Sequence, residues 1–398
     1  MPQRRQSGIA KNAQYSGNRK ENTKLEHRTM FKKISQNKLF KYTAITIILL
    51  FALNGFVLTS AFIGVKLHLF NDPGAVDYND RFFQKMDDNY SNLKSDTSKN
   101  EVSKIAQFYS KLFVINQYFP LNAQLIHKAF LQHNNVTLAE KMVDAINLNM
   151  IDSADYNNKI KDCEGFFEGK SNPRQNSGNL FEWMNIVEWY DFKIAVTKDT
   201  ALIDSAAKVT GIEPRLIVSV LLGEQMRLFN STREVYKKVI NPLKILSVEN
   251  NFSLGVTGVK PETAMLAEKY LKDSTSAFYP GKKYEHLLDF TTTDITKERF
   301  DRLVNYRNHY YSYLYAAVIL MEVRHQWKKA GYDISERPEI LATLYNVGYY
   351  YSVPKAKPSV GGSTINIKDK KYTFGTLAFE FYYSGEMIDI FPYKPNYQ

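Results

Sequence analysis

From Tyr42 to Val65 the chain runs YTAITIILLFALNGFVLTSAFIGV, 24 residues without one Asp, Glu, Lys, Arg or His, bounded by Lys41 and Lys66. As a helix rising about 1.5 Å per residue, this run spans roughly 36 Å, enough to cross a hydrocarbon core of about 30 Å with some tilt. Such a length favours an uncleaved signal anchor. A cleavable signal peptide is the rival, since Leu58-Thr59-Ser60-Ala61 offers small residues to a protease, but its apolar stretch and its basic lead are usually shorter.

The anchor accounts for the charge. Residues 1–41 carry eleven Lys and Arg against Glu21 and Glu26, so +9 of the formal +11 sits in a polar tail with no hydrophobic period. This composition predicts a disordered segment, and by the positive-inside rule it stays in the cytoplasm while everything after Lys66 is exported. The predicted location is therefore the cytoplasmic membrane, crossed once, with the C-terminal part periplasmic or extracellular. The exported part is nearly neutral, so no nucleic-acid partner is expected. The single cysteine, Cys163, rules out an intrachain disulfide framework and a Cys-built metal site, and the seven histidines show no ligand spacing; His309 and His325 stand isolated on helical patterns. No metal or cofactor is expected.

The remaining 333 residues predict a mainly α fold with a small β-hairpin. We divide them into an exported helical region over 66–200, of unassigned role, and a domain over 201–398. Apolar residues recur at helical intervals at Ile105, Phe108, Tyr109, Leu112 and Phe113, and the Trp183–Tyr190 aromatic cluster is read as core. A helix is predicted over Tyr311–Gly331, with Lys328, Lys329 and Gly331 as stop signals. Beyond the flexible pair Gly361-Gly362, the alternating stretches 364–367 and 371–374 predict the hairpin.

The chemistry concentrates after Thr210. In GIEPRLIVSVLLGEQMRLF, Pro214 fits the first helical position and residues 216–222 are apolar almost all round, which predicts a buried helix. Glu224 lies seven, four and three residues after Ile217, Val220 and Leu221, so it points the way they point. A carboxyl group desolvated in this way holds a proton more readily and suits general acid work. The alternative is a surface Glu paired with Arg227 at i+3, worth a few tenths of a kcal/mol.

Two later segments add to it: FSLGVTGVKPETA over 252–264 and LYNVG over 344–348. In order and spacing the three resemble the lysozyme-like superfamily of soluble lytic transglycosylases and goose-type lysozymes. That family has Glu-Ser at the end of a buried helix, then Ser-x-Gly-Leu-Met-Gln-Ile-x-Pro-x-Thr-Ala, then Ala-Tyr-Asn-Ala-Gly. Glu224-Gln225 matches the first; Ser253, Gly255, Val259, Pro261, Thr263 and Ala264 match the second; Tyr345, Asn346 and Gly348 match the third. The resemblance covers roughly residues 200–352. Gln225 stands where the family has Ser, and Gly258 where it has Gln.

The resemblance implies a lysozyme-like catalytic domain that cleaves the MurNAc–GlcNAc bond of peptidoglycan with Glu224 as the one acid/base. Ser253, Gly255, Tyr345, Asn346 and Gly348 would bind substrate, although the main role read for Ser253 is to start the tight turn at Gly255. Most glycosidases use a second carboxylate; Glu234, Glu249 and Glu262 are the nearby candidates, and none is assigned the role. Of Tyr349, Tyr350 and Tyr351, at most one is expected on the glycan, the default being packing. The expected partners are glycan strands, the membrane through residues 42–65, and other cell-envelope proteins. Two other readings stay open: a non-catalytic peptidoglycan-binding scaffold, and a type II membrane glycosyltransferase, against which stands the lack of any Asp-x-Asp triplet.

Overall fold

The computed structural model describes residues 38–66, 74–95, 101–163, 178–229 and 255–393. The basic tail up to residue 37, Ser253, Glu234 and Glu249 lie outside them. Among the described residues the chain is mainly helical, and it divides into two units, Met1–Leu69 and Phe70–Gln398.

The first unit contains helix α1, Lys38–Lys66, 29 residues long. Among the described residues no helix is long and apolar enough to cross a membrane. The anchor expected over 42–65 therefore rests on its sequence.

The second unit begins with a short strap, strand β1 (Ala75–Val76), followed by helix α2 (Asp80–Ser95). Then come α3 (Glu101–Tyr118), α4 (Pro120–His133), α5 (Val136–Asn149) and α6 (Ala154–Asp162). After a single 3-10 turn at Glu182–Asn185 follow α7 (Val187–Lys198), α8 (Thr200–Thr210) and α9 (Pro214–Phe229). Beyond residue 254 lie α10 (Pro261–Lys272), α11 (Ile295–Val304), α12 (Tyr310–Lys329) and α13 (Pro338–Val347). Strands β2 (Gly361–Gly362), β3 (Thr364–Ile367) and β4 (Lys370–Thr373) lead into α14 (Phe374–Tyr383).

The core is centred on α12 and α14, whose residues are buried almost all round, as a helix wrapped by others must be. Helix α9 packs on α14, α13 packs on α14, and α8 lies along α12. The division expected near residue 200 falls inside this unit. Trp183, fully buried, donates its indole N–H to Glu380 of α14 at 3.0 Å, and Lys193 of α7 pairs with Glu386 at 2.9 Å. The aromatic cluster is core, with Trp183 and Trp189 edge to face at 4.7 Å between centroids.

The hairpin forms as β3 and β4, antiparallel, with Thr364 opposite Thr373. Gly361-Gly362, read from the sequence as flexible, is instead a strand: β2 pairs antiparallel with β1, Ala75 opposite Gly362 and Val76 opposite Gly361. A Cβ at 361 would lie 1.9 Å from the Ala75 carbonyl oxygen, so only glycine lets the two backbones approach this closely. Asp77 fixes the strap beyond the pairing. Its carboxylate accepts the Asn79 amide at 2.7 Å, the Thr373 hydroxyl at 2.6 Å and the Thr376 hydroxyl, while Asp80 accepts the Val360 amide at 2.7 Å.

Candidate active site

Helix α9 is held at both ends. Arg215, fully buried in its first turn, donates to the carbonyls of Phe381, Tyr382, Glu386 and Phe391 at 2.8–2.9 Å. At the other end Gly223 faces the Phe374 ring, which would lie 2.5 Å from a Cβ there. Between them Leu216–Leu222 are buried, and Glu224 emerges from this apolar stretch only 3% exposed. Arg227 donates through Nη2 to Glu224 Oε2 at 2.5 Å, with both side chains largely buried. Glu224 is thus buried with the apolar face, and the alternative of a surface Glu holds only for its pairing with Arg227. The ion pair lies in the interior.

The second segment is a tight turn ahead of α10. Gly255 and Gly258 both take φ of +64°, the left-handed region that favours glycine. A side chain at 255 would strike the Leu303 carbonyl, with its Cβ 2.0 Å from the oxygen. Gln225 donates to the Val256 carbonyl at 2.7 Å and so ties α9 to the turn. Gly258 abuts Glu224 itself, its would-be Cβ falling 2.4 Å from Oε2. Pro261 then opens α10 with Glu262 in its first turn, where a carboxylate meets the helix dipole favourably.

The third segment closes the site from α13. Tyr345 donates its hydroxyl to the Thr257 carbonyl at 2.7 Å. Burial, and next the negative charge of Glu224, push that phenol well above its usual range, so it remains a donor. Asn346 Oδ1 accepts the Ser363 amide at 2.6 Å. Gly348, at φ +105°, ends the helix.

These elements enclose a cleft of about 200 Å³ whose lining includes Glu224, Arg227, Gly258, Lys260, Tyr345, Asn346, Gly348 and Tyr350. Among its described lining residues Glu224 is the one acid. Of the sequence-derived substrate residues, Tyr345, Asn346 and Gly348 are brought beside Glu224, whereas Gly255 is exposed and shapes the turn from outside the cleft. Among the three consecutive tyrosines Tyr350 lines the cleft, Tyr349 is fully buried against Phe278, and Tyr351 is exposed. Larger cavities of about 510 and 660 Å³ occur elsewhere, but the small cleft is where the three matched segments meet.

Sequence reasoning missed Gly74, which lines the cleft and packs against Val347. A two-residue strand has too few residues to show a period. Arg227 and Lys260 were also passed over as cleft residues. A cation three residues from a buried Glu on a helix was the available signal. His309 is engaged structurally, bonded to Asp199 at 2.5 Å, and among the described residues no group of His, Cys, Asp and Glu is placed to hold a metal. No family model, curated protein or solved structure matches this chain.

Proposed function

We propose that the protein is a membrane-anchored, lysozyme-like enzyme that cleaves peptidoglycan glycan strands with Glu224 as its acid and base. The observation that carries the reading is the placement of Glu224, 3% exposed at the end of an apolar helix and lining one cleft with Tyr345 and Asn346. An acid so placed can reach a glycosidic oxygen while water is largely excluded.

With a single carboxylate in the described cleft, the matching chemistry is the transglycosylase route. Glu224 protonates the leaving O4 as the MurNAc C1–O4 bond breaks. The resulting carboxylate then takes the proton of the sugar's own 6-hydroxyl as O6 bonds to C1, closing a 1,6-anhydro ring. No water is consumed, and the proton given to O4 is regained from O6; to enter the cycle Glu224 leaves its ion pair with Arg227 and takes up that proton from solvent. Tyr345 and Asn346, both held by backbone groups, keep the shape of the cleft through the cycle. Mass spectrometry of products from purified glycan strands tests this outcome: anhydro ends are expected, and reducing ends would indicate hydrolysis.

The anchor belongs to the same reading. Residues 42–65 cross the cytoplasmic membrane with the basic tail inside and the catalytic unit outside. Retention in carbonate-washed membranes is expected, and release into the wash would contradict it.

One observation favours a binding-only module. Arg227 occupies Glu224 Oε2, an oxygen from which an acid would act. Binding to sacculi without release of any fragment would select that alternative.

A further inference from the structure

Arg227 lies one turn beyond Glu224 on α9, and its guanidinium is held in the interior with Nη2 on Glu224 Oε2. Its Nε is buried and has no hydrogen-bond partner among the described residues. Arginine presents five donors in a rigid fork suited to carboxylate, and a buried donor left without an acceptor is costly. Lys260 brings a second cation to the lining. The cation with a spare donor at this cleft is Arg227. An anionic ligand fits such a cleft better than a neutral one.

The geometry also links ligand charge to catalysis. While Arg227 bonds Oε2, that oxygen is committed to an ion pair. A ligand carboxylate offered to the guanidinium competes for the same donor.

We propose that Arg227 is the specificity-determining residue of this cleft: it reads a carboxylate on the glycan and, in turning to it, leaves the buried Glu224 carboxylate unpaired, so that it takes up from solvent the proton that acid catalysis needs. The ligand class is a hexosamine polymer carrying free carboxylates, such as a muramic acid strand whose lactyl groups have lost their stem peptides. Chitin has the same backbone linkage without the carboxylate and serves as the neutral counterpart. The inference rests on the glycosidase reading for its catalytic half, while the recognition half can be measured by itself.

The test compares full-length protein in detergent against two probes of equal length, peptide-free peptidoglycan strands and chitin oligosaccharides. Binding is read by calorimetry and cleavage by product release, for wild type, Arg227→Gln and Arg227→Lys. Wild type is expected to bind the carboxylated strand about tenfold or more tightly than chitin, the scale of one charge-assisted bidentate contact. Arg227→Gln is expected to abolish that ratio and Arg227→Lys to keep part of it. A structural role alone would change both affinities together and leave the ratio intact. Equal wild-type affinity for the two probes, binding of neither, or a preference that survives in Arg227→Gln overturns the inference. Discrimination in binding with no cleavage of either strand upholds recognition and overturns the glycosidase reading; equal binding and equal cleavage of both does the reverse.

Discussion

Gly258 and Glu224 touch: a Cβ built on Gly258 would lie 2.4 Å from Glu224 Oε2 and 2.6 Å from its carboxyl carbon. The glycine that stands where the resembled motif has glutamine is thus the residue that makes room for the buried carboxyl. Its φ of +64° adds a second demand, since an L side chain there is strained. Gly258→Ala is expected to destabilise the protein by about 1–3 kcal/mol from strain and overpacking together. Cleavage should fall further than stability, because the displaced group is the proposed acid. Urea unfolding beside turnover checks this, and a variant as stable and active as wild type would contradict it.

Much of this site is legible in the sequence. The apolar run before Glu224, the glycines of the 255–258 turn and the Tyr-Asn-x-Gly segment each carry a local signal, and the structure brings Glu224, Gly258, Tyr345 and Asn346 to one cleft. Helix α12, the hairpin and the aromatic core follow from periodicity in the same way. What local patterns do not carry is the reason for a residue's identity when the reason is a distant contact. Gly258 reads as a lost glutamine until Glu224 is seen beside it, and Gly361-Gly362 reads as a flexible pair until Ala75 is found against it. The strap over 74–80 is nearly 300 residues from its partners Thr373 and Thr376, and two residues of strand leave no pattern to read.

That strap braces the cleft. Asp77 holds it to Thr373 and Thr376, β1 pairs with β2, and the residue after β2, Ser363, holds Asn346 through its amide. Asp77→Ala leaves one of the two buried threonine hydroxyls without an acceptor, since Thr373 and Thr376 can satisfy only one of them between themselves, and is expected to cost about 1–3 kcal/mol. Turnover should fall by more than the loss of folded protein explains, with Asp77→Asn intermediate. Steady-state kinetics on the folded fraction separates the effects, and unchanged turnover per folded molecule would argue against the bracing role.

Glu322 sits fully buried on α12, one turn beyond the cleft residue Ile319, facing Tyr349 without a well-formed hydrogen bond. Burial holds its carboxyl well above the ordinary value of 4.5. Below that pH both folded and unfolded chains are protonated, and the contribution of Glu322 to stability is complete. Above it the unfolded chain loses the proton while the folded one keeps it, so stability falls by up to about 1.4 kcal/mol per pH unit until the folded group ionises. Glu322→Gln removes this slope. The difference in unfolding free energy between wild type and variant, measured from pH 4 to 8, should move steadily in favour of the variant. A difference independent of pH would contradict the assignment.

The most direct test of the central claim is release of soluble fragments from purified sacculi by wild type and Glu224→Gln, with equal folding confirmed by thermal unfolding. Loss of a general acid costs about 10²- to 10⁴-fold, so the variant should be at least a hundredfold slower while still binding the sacculi. An unchanged rate in Glu224→Gln, or no release by wild type at all, would contradict a catalytic role for Glu224.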